Sequence, residues 1–265
     1  MNKNKLYLFC LMLGISAVCQ AQTLSVRPYV NYHHSVSKQN EPVFHSLGNR
    51  VTFPFGFRLI NENFTLSSGF EYGVAVDYRF RNDLGVELGV GYFSSINSHF
   101  EHSQDTRISY KTDWNYNSIV VRPQFSYAVM SGKSAFIGKV GPIFHYSSAE
   151  FSTFVHNDWH ISDCVFDSKW SFGYSVGLEY NYRLSERLHL AVNFGYEQYR
   201  FIPNKATVDI FSLNSVTQYE IHYVNKIVGE PYSLFNPNQN DWLKESILFN
   251  NIHFGIGIKY NLWKK

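Results

Sequence analysis

The C-terminal segment of the chain alternates between large apolar residues and small or polar ones. Residues 251–262 are NIHFGIGIKYNL, so that every second side chain from Ile252 to Leu262 is apolar. Because successive side chains of a β-strand point to opposite faces, this strand has one oily face and one small, wet face. Segments with the same polarity recur along the chain. This pattern is typical of a transmembrane β-barrel, which faces lipid outside and is polar inside.

The same alternation predicts about eight strands, each near the 9–11 residues that a tilted membrane strand needs. They are 24–32, 70–80, 84–92, 119–127, 136–146, 170–182, 188–196 and 252–262. Short links at 81–83, 130–134 and 183–187 alternate with long links at about 34–66, 94–106, 148–168 and 202–248. Short periplasmic turns and long outer loops are the rule for outer-membrane barrels. We therefore predict an all-β fold, an eight-stranded antiparallel up-and-down transmembrane β-barrel with long extracellular loops.

The longest of these links contains a second strand pattern. Residues 208–213 and 216–224 flank Asn214-Ser215 and predict a β-hairpin. We expect this hairpin to stand above the membrane. The alternative is that its two arms join the barrel and make ten strands.

The N-terminus has the features of a secretory signal peptide. Two lysines precede an apolar run that extends to Val18, and residues 19–21 offer a small-residue cleavage site. We predict a signal peptide over 1–21 and an outer-membrane β-barrel domain over 22–265, exported to the outer membrane of a Gram-negative cell. A lipid attached to Cys19 is the alternative.

The composition agrees with a membrane barrel. Removal of the predicted leader removes two lysines and no acids, which leaves 21 basic and 21 acidic residues. A net charge of zero gives no bulk attraction for nucleic acid, so we expect no nucleic-acid partner. Aromatic residues make up 18% of the chain and charged residues 17%. This balance fits a lipid-facing surface with aromatic belts.

Charged residues fall on the predicted interior face in equal numbers of each sign. They are Arg27, Glu71, Asp77, Arg79, Glu87, Arg122, Lys139, Glu179, Glu197 and Lys259. An eight-stranded barrel is just wide enough for side chains to fill it, and buried charges have to be paired. We predict that these ten residues form a structural ion-pair network in the lumen. A conduction path or proton relay is the functional alternative.

The sequence offers little for catalysis or metal binding. The pairs His33-His34 and His156/His160 are interpreted as solvated loop histidines, because a metal site needs three or four fixed ligands. Cys164, the one cysteine within 22–265, is interpreted as an inert loop thiol. We predict no catalytic, cofactor or metal residues.

One segment nevertheless resembles an enzyme motif. His145-Tyr146-Ser147-Ser148-Ala149 is similar to the His-x-Ser-Asn segment of outer-membrane lipid A deacylases, which are also eight-stranded barrels. A serine beside a histidine acts as nucleophile and base in such enzymes. Ser148 stands where that family has asparagine, and the predicted register turns His145 and Ser147 away from lipid.

The signal peptide, the strand set and the final aromatic strand resemble the small porin-like outer-membrane barrels of the OmpA-barrel and OmpX-like families. The resemblance covers essentially all of 22–265. Such chains usually end on an aromatic residue, whereas Trp263 is followed here by two lysines. The resemblance implies outer-membrane lipid as the surroundings. We predict a non-enzymatic structural or surface-interaction role through extracellular loops that contact an extracellular or envelope protein, without a cofactor. A lipid A-modifying deacylase and a small low-conductance pore are the alternatives.

Overall fold

The computed structural model describes residues 23–36, 68–80, 83–96, 98–105, 108–155, 159–212, 215–224, 241–243 and 247–264. The predicted signal peptide lies outside the described residues, as do the link residues 37–67 and 225–240. The described chain forms thirteen strands. They are β1 (Thr23–Ser35), β2 (Gly69–Arg79), β3 (Leu84–Ser95), β4 (Ser98–Asp105), β5 (Ile108–Ser131), β6 (Ser134–Val155), β7 (Trp159–Ser168), β8 (Ser171–Arg183), β9 (Leu188–Phe201), β10 (Pro203–Ser212), β11 (Ser215–Val224), β12 (Asp241–Leu243) and β13 (Ile247–Lys264).

Eight of these strands close an antiparallel barrel. Their order around the wall is β1, β2, β3, β5, β6, β8, β9 and β13, and β13 pairs back to β1, where Val30 lies opposite Ile256. Closure leaves the barrel wall without an unpaired edge, as a membrane-spanning sheet requires. The predicted eight-stranded transmembrane barrel is confirmed, and the ten-strand alternative is wrong.

Tight turns join neighbouring strands at the end of the barrel that holds Thr23 and Lys264. The β5–β6 hairpin closes between Ser131 and Ser134 and has Gly132 at a φ of 60°, a left-handed conformation that glycine adopts without strain. Because short turns mark the periplasmic side of such barrels, this end is the periplasmic one.

The outer face of the barrel is apolar, as the alternation predicted. Phe125 and Leu178 are 69% and 66% exposed on the outside, whereas Gln124 points inward and is buried. Tyrosines and tryptophan also lie on this face, among them Tyr72 and Trp170. This surface faces the lipid. In the part of the chain that the structure describes, no helix is long and apolar enough to cross a membrane.

A second sheet continues the barrel wall beyond the membrane. Strands β5 and β6 have 24 and 22 residues, about twice what a membrane strand needs. Their distal halves pair with each other and with β4 and β7; β10, β11 and the parallel β12 then extend the sheet beyond β7. We call this extension, made of β4, β7, β10, β11, β12 and the distal halves of β5 and β6, the outer sheet.

The outer sheet corrects part of the sequence interpretation. The links 94–106 and 148–168 are largely strands rather than loops, and Cys164 lies in β7, opposite Phe151. The hairpin predicted around Asn214-Ser215 is confirmed, because β10 and β11 pair antiparallel up to Ser212 and Ser215. It lies outside the closed barrel. Its first arm has no clean apolar side, because Asp209 and Ser212 fall on opposite faces.

Two prolines interrupt the ladder between β5 and β6. The register runs from Val121 opposite Phe144 to Phe125 opposite Val140, which places Pro123 opposite Pro142 between them. Proline has no backbone N–H, so neither residue donates across this seam. The barrel wall therefore has fewer hydrogen bonds here than elsewhere along β5.

Candidate functional site in the barrel interior

The barrel interior holds all ten charged side chains that the sequence assigned to it. Each residue is at most 8% exposed. They form three groups along the barrel axis, beginning at the periplasmic turns. The periplasmic group is Asp77, Arg79 and Lys259; the middle group is Arg27, Glu87, Lys139 and Glu179; the distal group is Glu71, Arg122 and Glu197.

The periplasmic group carries two cations and one anion. Lys259 Nζ donates to Asp77 Oδ2 at 2.5 Å, and Arg79 Nη2 donates to the same oxygen at 3.2 Å. Arg79 Nη1 also donates to the backbone oxygen of Asp83 in the β2–β3 turn at 3.0 Å. The group thus ties strands β2 and β13 to the turn, and it has a formal charge of +1.

The middle group is a closed ring of alternating charges. Arg27 Nη2 donates to Glu87 Oε1 at 2.9 Å, and its Nη1 lies 3.1 Å from Glu179 Oε2. Lys139 Nζ donates to Glu87 Oε2 at 2.5 Å and also to Glu179. Four strands, β1, β3, β6 and β8, supply one residue each, and the charges of the ring cancel.

The distal group is built on one guanidinium between two carboxylates. Arg122 Nε donates to Glu197 Oε1 at 2.5 Å, and its Nη2 donates to Glu71 Oε2 at 2.5 Å. Tyr29 donates its hydroxyl to Glu71 Oε1 at 2.6 Å. Two carboxylates and one guanidinium give the group a formal charge of −1, and both carboxylates are fully buried.

Two histidines complete the distal group. His33 Nε2 lies 2.9 Å from Glu71 Oε2, and its Nδ1 lies 3.8 Å from Glu197 Oε2. His253 Nδ1 lies 3.5 Å from Glu197 Oε1. The interpretation of His33 as a solvated loop residue is wrong, because it is a buried residue of β1. His253 lies an even number of residues from Lys259 in β13, and His33 lies an even number from Arg27 in β1. The alternation of the strands therefore places both histidines on the inward face.

Glycines make the space that the distal group occupies. A Cβ added at Gly91 would lie 2.3 Å from Glu71 Oε1, and one added at Gly195 would lie 2.4 Å from Cε1 of His253. Atoms cannot approach this closely, so these two positions admit no side chain while Glu71 and His253 keep their places.

An aromatic lid closes the interior at its distal end. It consists of Phe93, Trp114, Tyr116, Phe201 and Phe249, all nearly inaccessible to solvent. The Tyr116 ring lies 5.2 Å from Phe249 and 6.0 Å from Phe201, in tilted and edge-to-face arrangements that aromatic pairs prefer. The sequence predicted polar filling for the lumen and missed this lid.

A chain of hydroxyls joins the lid to His145. Tyr116 Oη lies 2.7 Å from Ser147 Oγ, which donates to Ser118 Oγ at 3.0 Å, and Ser118 Oγ lies 3.0 Å from His145 Nδ1. The His145 ring is stacked 3.6 Å from that of Tyr199. His145 and Ser147 of the deacylase-like segment are each 2% exposed and belong to the packed interior, and Ser118 lies between them.

A small cavity lies between the middle and distal groups. Its volume is about 40 Å³, and Arg27, Arg122, Lys139, Asn193 and His253 are among the residues that line it. A water molecule needs at least about 10–15 Å³ measured in this way, so the cavity holds a few waters at most. It is too small for a hydrated solute.

The chain was compared with known protein families and solved structures. The family model described as outer membrane protein beta-barrel domain matches residues 7–219. A major outer membrane protein from Thermus thermophilus is 13% identical, with 91% of this chain and 98% of that chain covered and a TM-score of 0.50. OprG from Pseudomonas aeruginosa is 12% identical, with 92% and 97% covered and a TM-score of 0.44. The protease OmpT from Escherichia coli is 9% identical, with 91% and 94% covered and a TM-score of 0.33.

The match to the Thermus thermophilus protein, with a TM-score of 0.50, supports a shared fold, and 13% identity shows nothing about a shared activity. No curated protein matches the chain. The family match covers well over half of the sequence, and the closed barrel with its apolar outer face agrees with it. The chain therefore belongs to the outer membrane protein beta-barrel domain family, and it sits in the lipid of the outer membrane.

Proposed function

We propose that this protein is a non-enzymatic outer-membrane barrel whose outer sheet and neighbouring extracellular segments contact a protein partner at the cell surface or within the envelope. The observation that carries the proposal is the length of β5 and β6. At about 3.3 Å per residue the 24 residues of β5 extend about 80 Å, far more than the hydrocarbon layer of about 30 Å. The excess length supports further strands outside the membrane, which a purely membrane-anchoring barrel does not need.

The filled interior favours this role over that of a pore. Ion pairs occupy three levels of the lumen, and the aromatic lid covers its distal end. We propose that the ten charged residues are a structural network that holds the barrel strands together and fills the lumen. A low-conductance pore needs a continuous aqueous path, and the cavity beside Arg122 accommodates a few waters at most.

The burial of His145 and Ser147 favours a non-enzymatic role over lipid A deacylation. A nucleophile and its base must reach the substrate, and an acyl chain in the membrane meets the outer face of the barrel. We expect lipid A from cells that carry His145→Ala to have the same acyl chains by mass spectrometry as lipid A from wild-type cells. A loss of acyl chains that requires His145 and Ser147 would support the enzyme instead.

We propose that residues 1–21 are a signal peptide that is cleaved during export, which leaves 22–265 as the outer-membrane domain. The two lysines and the apolar run support this assignment. Edman sequencing of protein purified from outer membranes should begin at Gln22. A start at Cys19 that is blocked by lipid would indicate a lipoprotein.

The surface role is testable by photo-crosslinking in intact cells. A photoreactive amino acid at Val216, an exposed position of β11, should give a protein adduct because the outer sheet meets the partner. The same amino acid at Phe125, on the lipid face, is the matched control and should give none. Deletion of 206–224 should preserve barrel insertion and remove surface binding. If Val216 gives no more adduct than Phe125 and binding survives the deletion, the proposal is wrong.

A further inference from the structure

Three potential metal ligands meet at one level of the barrel interior. His33 of β1 and His253 of β13 are direct cross-strand partners, and Glu197 of β9 projects from the next strand around the wall. One ligand atom of each residue lies within 4.8 Å of the other two. Backbone pairing fixes all three, so the arrangement does not depend on a loop.

The hydrogen bonds of His33 determine which of its nitrogens is free. Glu71 only accepts when ionised, so His33 Nε2 donates to it at 2.9 Å. The neutral ring then carries its lone pair on Nδ1, which faces Glu197 Oε2 at 3.8 Å. As long as the ring is neutral, two acceptors face each other inside the barrel, which is unfavourable unless a cation, either a metal ion or a further proton on the ring, lies between them.

His253 lies beside the same carboxylate. Its Nδ1 is buried and has no hydrogen-bond partner among the described residues, although Glu197 Oε1 lies 3.5 Å away. The distal group also holds two carboxylates and one guanidinium, so one negative charge is not balanced there. A buried excess charge is costly until a counter-charge joins it.

We propose that His33, Glu197 and His253 bind a divalent metal ion of the zinc class. Zinc takes imidazole nitrogen at about 2.0–2.1 Å and carboxylate oxygen at about 2.0–2.2 Å, which separates tetrahedral ligand atoms by about 3.4 Å. His253 Nδ1 lies 3.5 Å from Glu197 Oε1, and His33 Nδ1 lies 3.8 Å from Glu197 Oε2. The three ligand atoms lie within 4.8 Å of one another, so binding requires side-chain shifts that draw them together. Two imidazoles favour zinc over magnesium or calcium, which prefer oxygen ligands.

The surroundings fit a metal centre. Glu71 accepts from the far nitrogen of His33, the outer-shell contact that orients most metal-binding histidines. The small cavity borders His253 and leaves room for a water as the fourth ligand. Because the aromatic lid lies above the site, we infer that the ion enters as the barrel folds.

Refolding with and without zinc tests the site. Protein purified from outer membranes is unfolded in urea with a chelator and refolded in detergent micelles, with or without zinc sulfate. After gel filtration, elemental analysis should find one zinc per folded chain. Cobalt(II) in place of zinc should give the visible absorption bands of a tetrahedral site.

Matched variants separate this site from surface histidines. His253→Gln and His33→Gln should bind zinc more than 100-fold more weakly in chelator competition, because loss of an outer-shell partner alone costs about 10–100-fold. His34→Gln alters the neighbouring, exposed histidine of β1 and should bind like wild type. Heat-modifiable gel migration identifies the folded species. Should one ligand variant fail to fold, the other decides.

Two outcomes would overturn the proposal. Wild-type protein that refolds without retained zinc and shows no cobalt bands would mean that a proton on a histidine balances the distal group. Equal zinc retention by wild type and His253→Gln would place the metal elsewhere.

Discussion

Arg122 and Glu197 are joined across the barrel interior by two hydrogen bonds, Nε to Oε1 at 2.5 Å and Nη2 to Oε2 at 3.1 Å. They belong to β5 and β9, which are separated in the wall by β6 and β8. The same guanidinium binds Glu71 of β2 from its other side. One side chain thus connects three distant parts of the wall, which makes Arg122 the centre of the distal group.

Removal of that guanidinium should be strongly destabilising. Arg122→Met keeps most of the volume but leaves two fully buried carboxylates without their cation, which costs about 3–5 kcal/mol. We expect a clear fall in the urea midpoint of the barrel in detergent, followed by tryptophan fluorescence. Arg183→Met removes an exposed arginine at the end of β8 and should leave the midpoint unchanged. Equal midpoints for Arg122→Met and wild type would show that the ion pairs do not stabilise the barrel.

Two glycines of β3 make a matched pair for the space around Glu71. Gly91→Ala places a Cβ 2.3 Å from Glu71 Oε1, whereas Gly89→Ala meets its nearest atom, Cβ of Arg122, at 3.7 Å. Overpacking of this kind costs about 1–3 kcal/mol, and an ordinary contact costs nothing. Urea unfolding should therefore separate the two variants, with Gly91→Ala the less stable. The same loss in both would trace the effect to the strand backbone rather than to Glu71.

The sequence predicted the barrel because every second residue of a membrane strand faces lipid and has to be apolar. A strand with lipid on one side shows its period directly, so eight strands and the inward position of residues such as Glu71 and Lys259 follow from counting. The pairing of those residues does not follow, because Arg122 meets Glu197 only through the stagger of strands across the lumen. The aromatic lid was missed for a related reason, since Tyr116 points inward above the level where lipid sets the pattern.

The outer sheet could not be predicted in the same way. A strand such as β7 has Asp163 and Asp167 on the same face as Val165, so no apolar face distinguishes it from a loop. The β10–β11 hairpin was found because a turn signal at Asn214-Ser215 separates two β-rich arms. The metal hypothesis also needed coordinates, since His33 and His253 are 220 positions apart in the sequence and meet only when β13 closes on β1.

The paired prolines of β5 and β6 should weaken the wall between them. Pro142→Val supplies an N–H where Pro123 lies opposite, and a ladder hydrogen bond contributes about 1 kcal/mol. We expect the urea midpoint to rise, and to rise further in the Pro123→Val, Pro142→Val double variant. Hydrogen exchange at Phe144, farther along β6, is the internal control and should not change. A fall in stability would show that the packing of the proline rings stabilises this seam more than the missing hydrogen bonds weaken it.

The filled interior predicts that the protein conducts no steady ionic current in planar bilayers. Wild-type protein should give no steady conductance steps, because the charged groups and the lid fill the lumen at successive levels. Phe249→Ala opens the lid but should also be silent, since the distal group around Arg122 closes the barrel beneath it. A general porin in the same bilayers verifies that inserted channels are detected, and gel migration verifies that the variants are folded. Steady steps from the wild type would contradict the filled lumen, and steps from Phe249→Ala alone would make the aromatic lid the sole barrier.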